Sequence, residues 1–439
     1  MLTVGSFMTQ QIRKVAIIGG SRIPFARSNT AYSHASNQDM LTAAINGVVN
    51  KFNLQGERLG EVVAGAVIKH SRDFNLTREC VLGTALDANT PCLDIQQACG
   101  TGLQAAMLVA NKIALGQIEC GIAGGSDTTS DAPIGVSEGL RKILLDLNRA
   151  KTTGDKLKIA AKIRPRHLAP LVPANGEPRT KMSMGQHCEV TVKEWNVSRE
   201  AQDEIAYNSQ KNLAAAYERG FFEDLVVPFK GLDKDNLMRP DVSMERLAAL
   251  KPAFDKKSGQ GTLTAGNSSG LTDGASAVLF ASEDWAKAQN LPVQAYLSFY
   301  ETASVDFLGK ESATKEGLLM APTYAISSML ERANLTLQDF DYYEIHEAFA
   351  GVVLTTLAAL DDDKFCKERL GRKQKWGTID RAKLNVNGSS IAVGHPFAAT
   401  GGRIVSTLAK MLAEKGSGRG LISICAAGGQ GVTAILERP

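Results

Sequence analysis

The chain has 439 residues, 44% hydrophobic and 22% charged, with a formal net charge of +3. That length exceeds one ordinary core and predicts about two or three domain-sized units. The composition is that of a soluble globular protein rather than a fibre or a disordered tail, and the small net charge gives no ground for nucleic-acid binding. Seven cysteines (Cys80, Cys92, Cys99, Cys120, Cys188, Cys366 and Cys425) with no CxxC pair argue against a disulfide framework and a metal site, and fit a reducing, cytoplasmic compartment. The opening MLTVGSFMTQQIRK lacks the apolar core of a signal peptide, with Met8 as an alternative start, and no later stretch reaches the ~18 apolar residues of a membrane span.

The first predicted element is KVAIIGG, residues 14 to 20, an apolar run of strand length. SRIPF follows it, and a dinucleotide fingerprint would need a glycine-rich turn opening a helix there. DMLTAAINGVVNKF reads as helix, EVVAGAVI as buried strand and TRECVLGTAL as helix, an alternation that predicts an α/β layered domain. QQACGTGLQAA, residues 96 to 106, then sets Cys99 before a Gly-Thr-Gly corner and a helix. A free cysteine there is either a small buried hydrophobe or a nucleophile.

Two distant stretches share a plan. Thr101-Gly102 opens a helix followed by the strand CGIAGGSD; Thr400-Gly401 opens a helix followed by the strand GLISICAAGGQG. The spacing from the TG pair to the Ala-Gly-Gly triplet is similar but unequal, and two related halves with their helix starts face to face are expected. Between the halves, about 131 to 261, helical periodicity, prolines and charge replace buried strands, so this part reads as an insertion covering the core. Within it, 141 to 167 carries nine Lys or Arg against Asp146 and Asp155, interleaved with Ile143, Leu144, Leu147, Leu157, Ile159 and Ile163. Such a run is either a solvated face or an amphipathic surface for a partner or membrane.

Four further segments carry candidate chemistry. AGNSSG contains a formal GxSxG around Ser268, but a loop and strand follow where a serine-hydrolase elbow needs a helix. EIHEAFAGVVL carries His346 beside Glu347 at a strand end, without the second histidine of a zinc HExxH motif. VNGSSIAVGHPFAATGGR carries His395 in a glycine-rich turn before a helix, and LISICAAGGQG ends a buried strand on Cys425. Taken singly, each histidine or cysteine also has a purely structural reading.

Together the segments resemble the thiolase family, enzymes that make or cleave 3-ketoacyl-CoA. SRIPFAR, QACGTG, AGGSD, KMSMGQHCE, LKPAF, TAGNSSGLTDGASAVL, HEAFA, NVNGSSIAVGHPFAATGGR and CAAGGQG appear in the family's order from about residue 14 to 433. The resemblance implies a five-layer α/β/α/β/α fold of two similar halves, 1–285 with the insertion and 286–439. It implies that Cys99 is the acylated nucleophile, His395 its base, and Cys425 the acid/base at the α-carbon. His395 and a water held by His346 would serve the enolate oxygen, and the backbone N–H groups of Cys99 and Ala427 the tetrahedral oxyanion. A thiolate suits this chemistry because it attacks a carbonyl well and leaves again from a thioester, and the start of the following helix is expected to lower the Cys99 pKa.

Coenzyme A is implied as co-substrate, with no permanently bound cofactor and no metal. Ser269 would touch the pantetheine arm, Ala348 and Phe349 would line its tunnel, and Arg239 and Phe254 would lie near the adenine. His346 replaces the Asn of many members and resembles the β-subunits of fatty-acid oxidation complexes; Ala427 replaces a Gly, and Ser183 a His. These departures favour degradative cleavage over acetoacetyl-CoA synthesis. Cys425 argues against a decarboxylating condensing enzyme, and the retained trio Cys99, His395 and Cys425 against a non-catalytic acyl or sterol carrier. A homodimer or tetramer, an α-subunit partner and a membrane contact through 141–167 complete the expectations.

Overall fold

The structure, a computed structural model, describes residues 12–310 and 315–439; the readings of the opening residues lie outside it. In the first half, β1 (Val15–Arg22) and β2 (Ala26–Arg27) lead through α1 (Asn37–Lys51), β3 (Glu61–Ala64), α2 (Leu76–Leu82), β4 (Cys92–Asp94) and α3 (Thr101–Ala114) to β5 (Cys120–Asp127). Five helices intervene: α4 (Glu138–Arg149), α5 (Thr153–Ala160), α6 (Met184–Glu194), α7 (Arg199–Glu218) and α8 (Met244–Ala248). The half closes with β6 (Thr272–Ser282) and α9 (Glu283–Ala288). The second half runs β7 (Ala295–Ser304), α10 (Ala321–Ala333), β8 (Tyr342–Ile345), α11 (Ala350–Leu360), α12 (Asp363–Glu368), α13 (Ser390–Val393), α14 (Ala399–Lys415), β9 (Gly418–Ala426) and β10 (Gln430–Arg438).

The strands lie in the order β4-β3-β5-β6-β1 and β7-β10-β9-β8. Among the described residues, the strand pairing that joins the two sets runs through Ala16 and Ile17 of β1 against Tyr296 and Ala295 of β7. Strand alternation then builds the layers, because successive side chains point to opposite faces. On β1, Val15 and Ile17 enter the core that holds Leu103 and Val109 of α3 and Ile404, Val405 and Leu408 of α14, together with Ile422, Ile424 and Val432 from the second sheet. Ala16 and Ile18 face the opposite way, onto Met40, Leu41, Ala44 and Val48 of α1. The second sheet turns Leu421 and Ile435 outward onto Ile326, Met329 and Leu330 of α10. Helix, sheet, paired central helices, sheet and helix make the five expected layers.

Glycine lets the two central helices start against each other. A Cβ on Gly401 would lie 2.2 Å from the Leu103 backbone N, and one on Gly102 2.5 Å from the Ala398 carbonyl oxygen. The expected face-to-face helix starts are therefore a backbone-to-backbone contact. The Ala-Gly-Gly triplets, however, are not equivalent. Ala123–Gly125 lies inside β5, whereas Ala427–Gly429 is the turn between β9 and β10. A second correction concerns EVVAGAVI, whose strand stops at Ala64. The next residue, Gly65, packs so tightly that a Cβ there would lie 1.8 Å from the Ile95 carbonyl oxygen.

Candidate active site

Cys99 sits in a turn tied by the Thr101 hydroxyl, which accepts from the Gln97 N–H at 2.8 Å and donates to the Ala98 carbonyl at 2.7 Å. Ala98 is held at φ +45°, a left-handed backbone in a residue with a Cβ, a strain of order 1–3 kcal/mol. That turn leads into the start of α3, directly behind the half-buried Cys99. His395 Nε2 lies 3.0 Å from the Cys99 Sγ, while His395 Nδ1 is 2.7 Å from the Thr400 hydroxyl. The histidine loop is fixed at both ends: the His395 N–H donates to Thr272 Oγ1 at 2.7 Å and the Ala398 N–H to Asp127 at 2.9 Å. Asp127 also accepts from the Val67 and Ile68 N–H groups, so one buried carboxylate clamps loops of both halves.

From the second hairpin, consecutive glycines at φ +81° and +73° let the chain reverse just after Ala427. The reversal brings the Ala427 N–H near the Cys99 sulfur, where it and the N–H of Cys99 itself act on the thiol. These amides lower the thiol pKa, but burial outweighs them and raises it to about 12. Burial first, then the Arg403 charge, brings His395 down to about 3. Against the expectation of a thiol pKa lowered by the helix start, burial raises the thiol and lowers the imidazole, so both shifts favour the neutral forms.

His346 follows β8 and is 1% exposed. Its ring centroid lies 4.2 Å from that of His395, and its Nδ1 is 2.7 Å from the Ser390 hydroxyl. Its Nε2 is buried without a partner. Cys99, His346 and His395 bring one ligand-type atom each within 4.8 Å of one another, the only such trio among the described residues. Cys425 ends β9 opposite Gly431 and is 2% exposed, in an apolar wall with Leu318, Leu319, Ala348, Phe349 and Val352. Burial, reinforced by Cys99, pushes its thiol well above the ordinary range. The four residues come from four separate segments, and the contacting Cys99 and His395 are 296 residues apart in the chain.

Two family models match the chain: "Thiolase, N-terminal domain" over residues 15–284 and "Thiolase, C-terminal domain" over 300–438. The chain belongs to the thiolase family. It is 40% identical to a 3-ketoacyl-CoA thiolase of Alteromonas mediterranea, with both chains covered over 100% of their length. One from Shewanella baltica is also 40% identical, with 97% of each covered. Among solved structures, the Bacillus anthracis acetyl-CoA acetyltransferase superposes with a TM-score of 0.80 at 28% identity, covering 98% of this chain and 100% of its own. Human mitochondrial 3-ketoacyl-CoA thiolase in complex with CoA gives 0.79 at 28% identity, with the same coverage.

In this thiolase the other expected binding residues separate into two groups. Ser269 donates its hydroxyl and its N–H to the Ala348 carbonyl at 2.9 and 3.0 Å, beside Phe349, whose ring meets Phe254 edge-on at 5.5 Å. Phe254 in turn fills the space that a Cβ on Gly185 would occupy. Arg239 is exposed, beyond α7, with its backbone N–H on Gln210. Ser183 caps α6, exchanging hydrogen bonds with Gln186, which explains a serine there without any ligand contact. Ser268 is followed by an irregular stretch and β6 rather than a helix.

Sequence reasoning missed Ala98, Asp127, Thr400, Ser390, Arg403 and the clamp on Glu347. The Glu347 carboxylate accepts from Ser209 (2.7 Å), Asn385 (2.7 Å) and the Ile391 N–H (3.2 Å), locking the HEAF loop against the NVNGSS loop. The quoted motifs contained most of these residues. Nothing in their spacing shows which of them turn inward.

Proposed function

We propose that this thiolase cleaves 3-ketoacyl-CoA with free CoA, giving acetyl-CoA and an acyl-CoA two carbons shorter. The observation that supports this best is the Cys99 sulfur, 3.0 Å from His395 Nε2, on a thiol whose pKa the Ala427 amide lowers. His395 takes the Cys99 proton as the sulfur attacks the 3-keto carbon. The carbonyl oxygen becomes an oxyanion, for which the Cys99 and Ala427 N–H groups are the donors; one such donor contributes about 3–4 kcal/mol in other enzymes. Collapse breaks the C2–C3 bond and places its electron pair on the acetyl-CoA enolate, whose oxygen is met by His395 and His346. Cys425 gives its proton to C2 and acetyl-CoA departs. The Cys425 thiolate then takes the proton of an incoming CoA thiol, which collects the acyl group and releases Cys99.

Ser269, Ala348, Phe349 and Phe254 form the wall we assign to the pantetheine arm; Arg239 stays assigned to the nucleotide end, for which its exposure suits a phosphate-bearing group. CoA is a co-substrate, and no resident cofactor or metal enters this route. The same reading includes a division at residues 285/286, a homodimer or tetramer, a cytoplasmic location, and an α-subunit or membrane contact through 141–167.

The test is Cys99→Ser assayed with acetoacetyl-CoA and longer 3-ketoacyl-CoA substrates, alongside mass spectrometry of the acylated wild type. A rate loss of at least about 10³-fold is expected, with the acyl group on Cys99. Retained cleavage, or an acyl group elsewhere, would overturn the assignment. Turnover of acetoacetyl-CoA alone would favour the synthetic role of the acetyl-CoA acetyltransferase relatives.

A further inference from the structure

Arg403, on the second turn of α14, is 2% exposed, and its Nη2 donates to the Ser390 hydroxyl oxygen at 2.9 Å and more weakly to Ser389 at 3.4 Å. Ser390 Oγ lies 2.7 Å from His346 Nδ1. A guanidinium has five N–H donors and no acceptor, so the Ser390 oxygen must accept from it. The hydroxyl has one hydrogen, and among the described residues its only acceptor within reach is His346 Nδ1. A proton on Nδ1 would instead leave two buried groups unpaired, the Ser390 hydroxyl hydrogen and the Nε2 lone pair, whereas a proton on Nε2 leaves only the Nε2–H unpaired. The proton of the neutral imidazole is therefore on Nε2, which has no partner of its own, on a ring packed 4.2 Å from that of His395.

We infer that Arg403 and Ser390 are positioning residues that fix His346 as the Nε2–H tautomer, so that it presents a hydrogen-bond donor directly to the enolate oxygen. This rests on the thiolase reading above and changes one of its details. The water expected between His346 and the substrate is not required, because an imidazole donor stands where the water's hydrogen would be. The role differs from that of His395, whose Nδ1 is tied to Thr400 and whose Nε2 accepts from the Cys99 thiol. Two imidazoles 4.2 Å apart thus hold opposite tautomers, one poised to take a proton and the other to donate a hydrogen bond. A hydroxyl backed by a guanidinium holds the donor.

The chain's six histidines make selective ¹⁵N labelling tractable. In wild type, His346 should show a protonated Nε2 and an unprotonated Nδ1; Ser390→Ala should shift it toward a mixture of tautomers. The same substitution should lower kcat for cleavage about 10- to 100-fold with KM changed less than threefold. In a His346→Asn background, Ser390→Ala should cost less than twofold, which a merely structural serine would not show. Arg403→Lys, which keeps a donor, should shift the tautomer less than Ser390→Ala and serves if the alanine variant does not fold. An unchanged ¹⁵N pattern in Ser390→Ala, or equal losses in both backgrounds, overturns the inference while leaving the thiolase reading intact. A wild type with the Nε2–H tautomer but no cleavage would instead remove that reading and leave the positioning standing.

Discussion

At the residue scale, the decisive feature is a contacting cysteine–histidine pair in which burial favours the neutral form of each partner. With the Cys99 thiol raised to about 12 and His395 lowered to about 3, both by burial, the thiolate fraction rises with pH across the whole neutral range. Alkylation of Cys99 by iodoacetamide in the free enzyme should therefore accelerate about tenfold per pH unit from 6 to 9; a plateau near pH 7 would indicate a preformed thiolate–imidazolium pair. His395 is unprotonated well below pH 5, so it contributes no acid limb to kcat/KM between pH 5 and 8. Cys99, His346, His395 and Cys425 were each legible from their motifs. Their protonation states were not, because desolvation depends on every neighbouring layer.

At the element scale, the site is carried by the crossing of α3 and α14 and by the loop after β8. A methyl on Gly401 would meet the Leu103 backbone N, which cannot swing away as a side chain would. Gly401→Ala should lower stability by about 2–3 kcal/mol, read as a fall in the thermal midpoint, with loss of activity because Cys99 and His395 separate. Glu344, on β8, is buried with both carboxylate oxygens unpartnered, and burial raises its pKa to about 8. The native state thus keeps a proton that the unfolded chain loses near pH 4, so this group makes stability fall as pH rises from about 4 to 8 and levels off above. Glu344→Gln should remove that slope and melt higher than wild type at pH 9, by the equivalent of about 2–4 kcal/mol. Equal slopes in both proteins would disprove it.

At the scale of the whole molecule, the segment at 131–172 stands apart. Gly135 pairs with Leu171 and Ser137 Oγ donates to the His167 carbonyl, closing a loop around α4 and α5. Of α4 only Ile143 is buried, and Leu144, Leu157, Leu168, Leu171 and Val172 are exposed among the basic side chains. The charge pattern was readable in the sequence; that the apolar residues stay uncovered was not. Replacing Lys151, Lys156, Lys158 and Lys162 by Glu should weaken binding to vesicles containing anionic lipid at least tenfold and leave cleavage of soluble substrates unchanged. Equal vesicle binding would count against a membrane contact there.

The sequence by itself determined the layered α/β class and the family, because periodicity, turn residues and ordered motifs are local properties. Only the tertiary structure decided that the Ala-Gly-Gly triplets occupy different places, that Ser183 caps a helix, that Ala98 carries the strained turn, and that Arg403 reaches His346 through Ser390. These depend on which surfaces are brought together across hundreds of residues. Burial and hydrogen-bond direction then fix each proton.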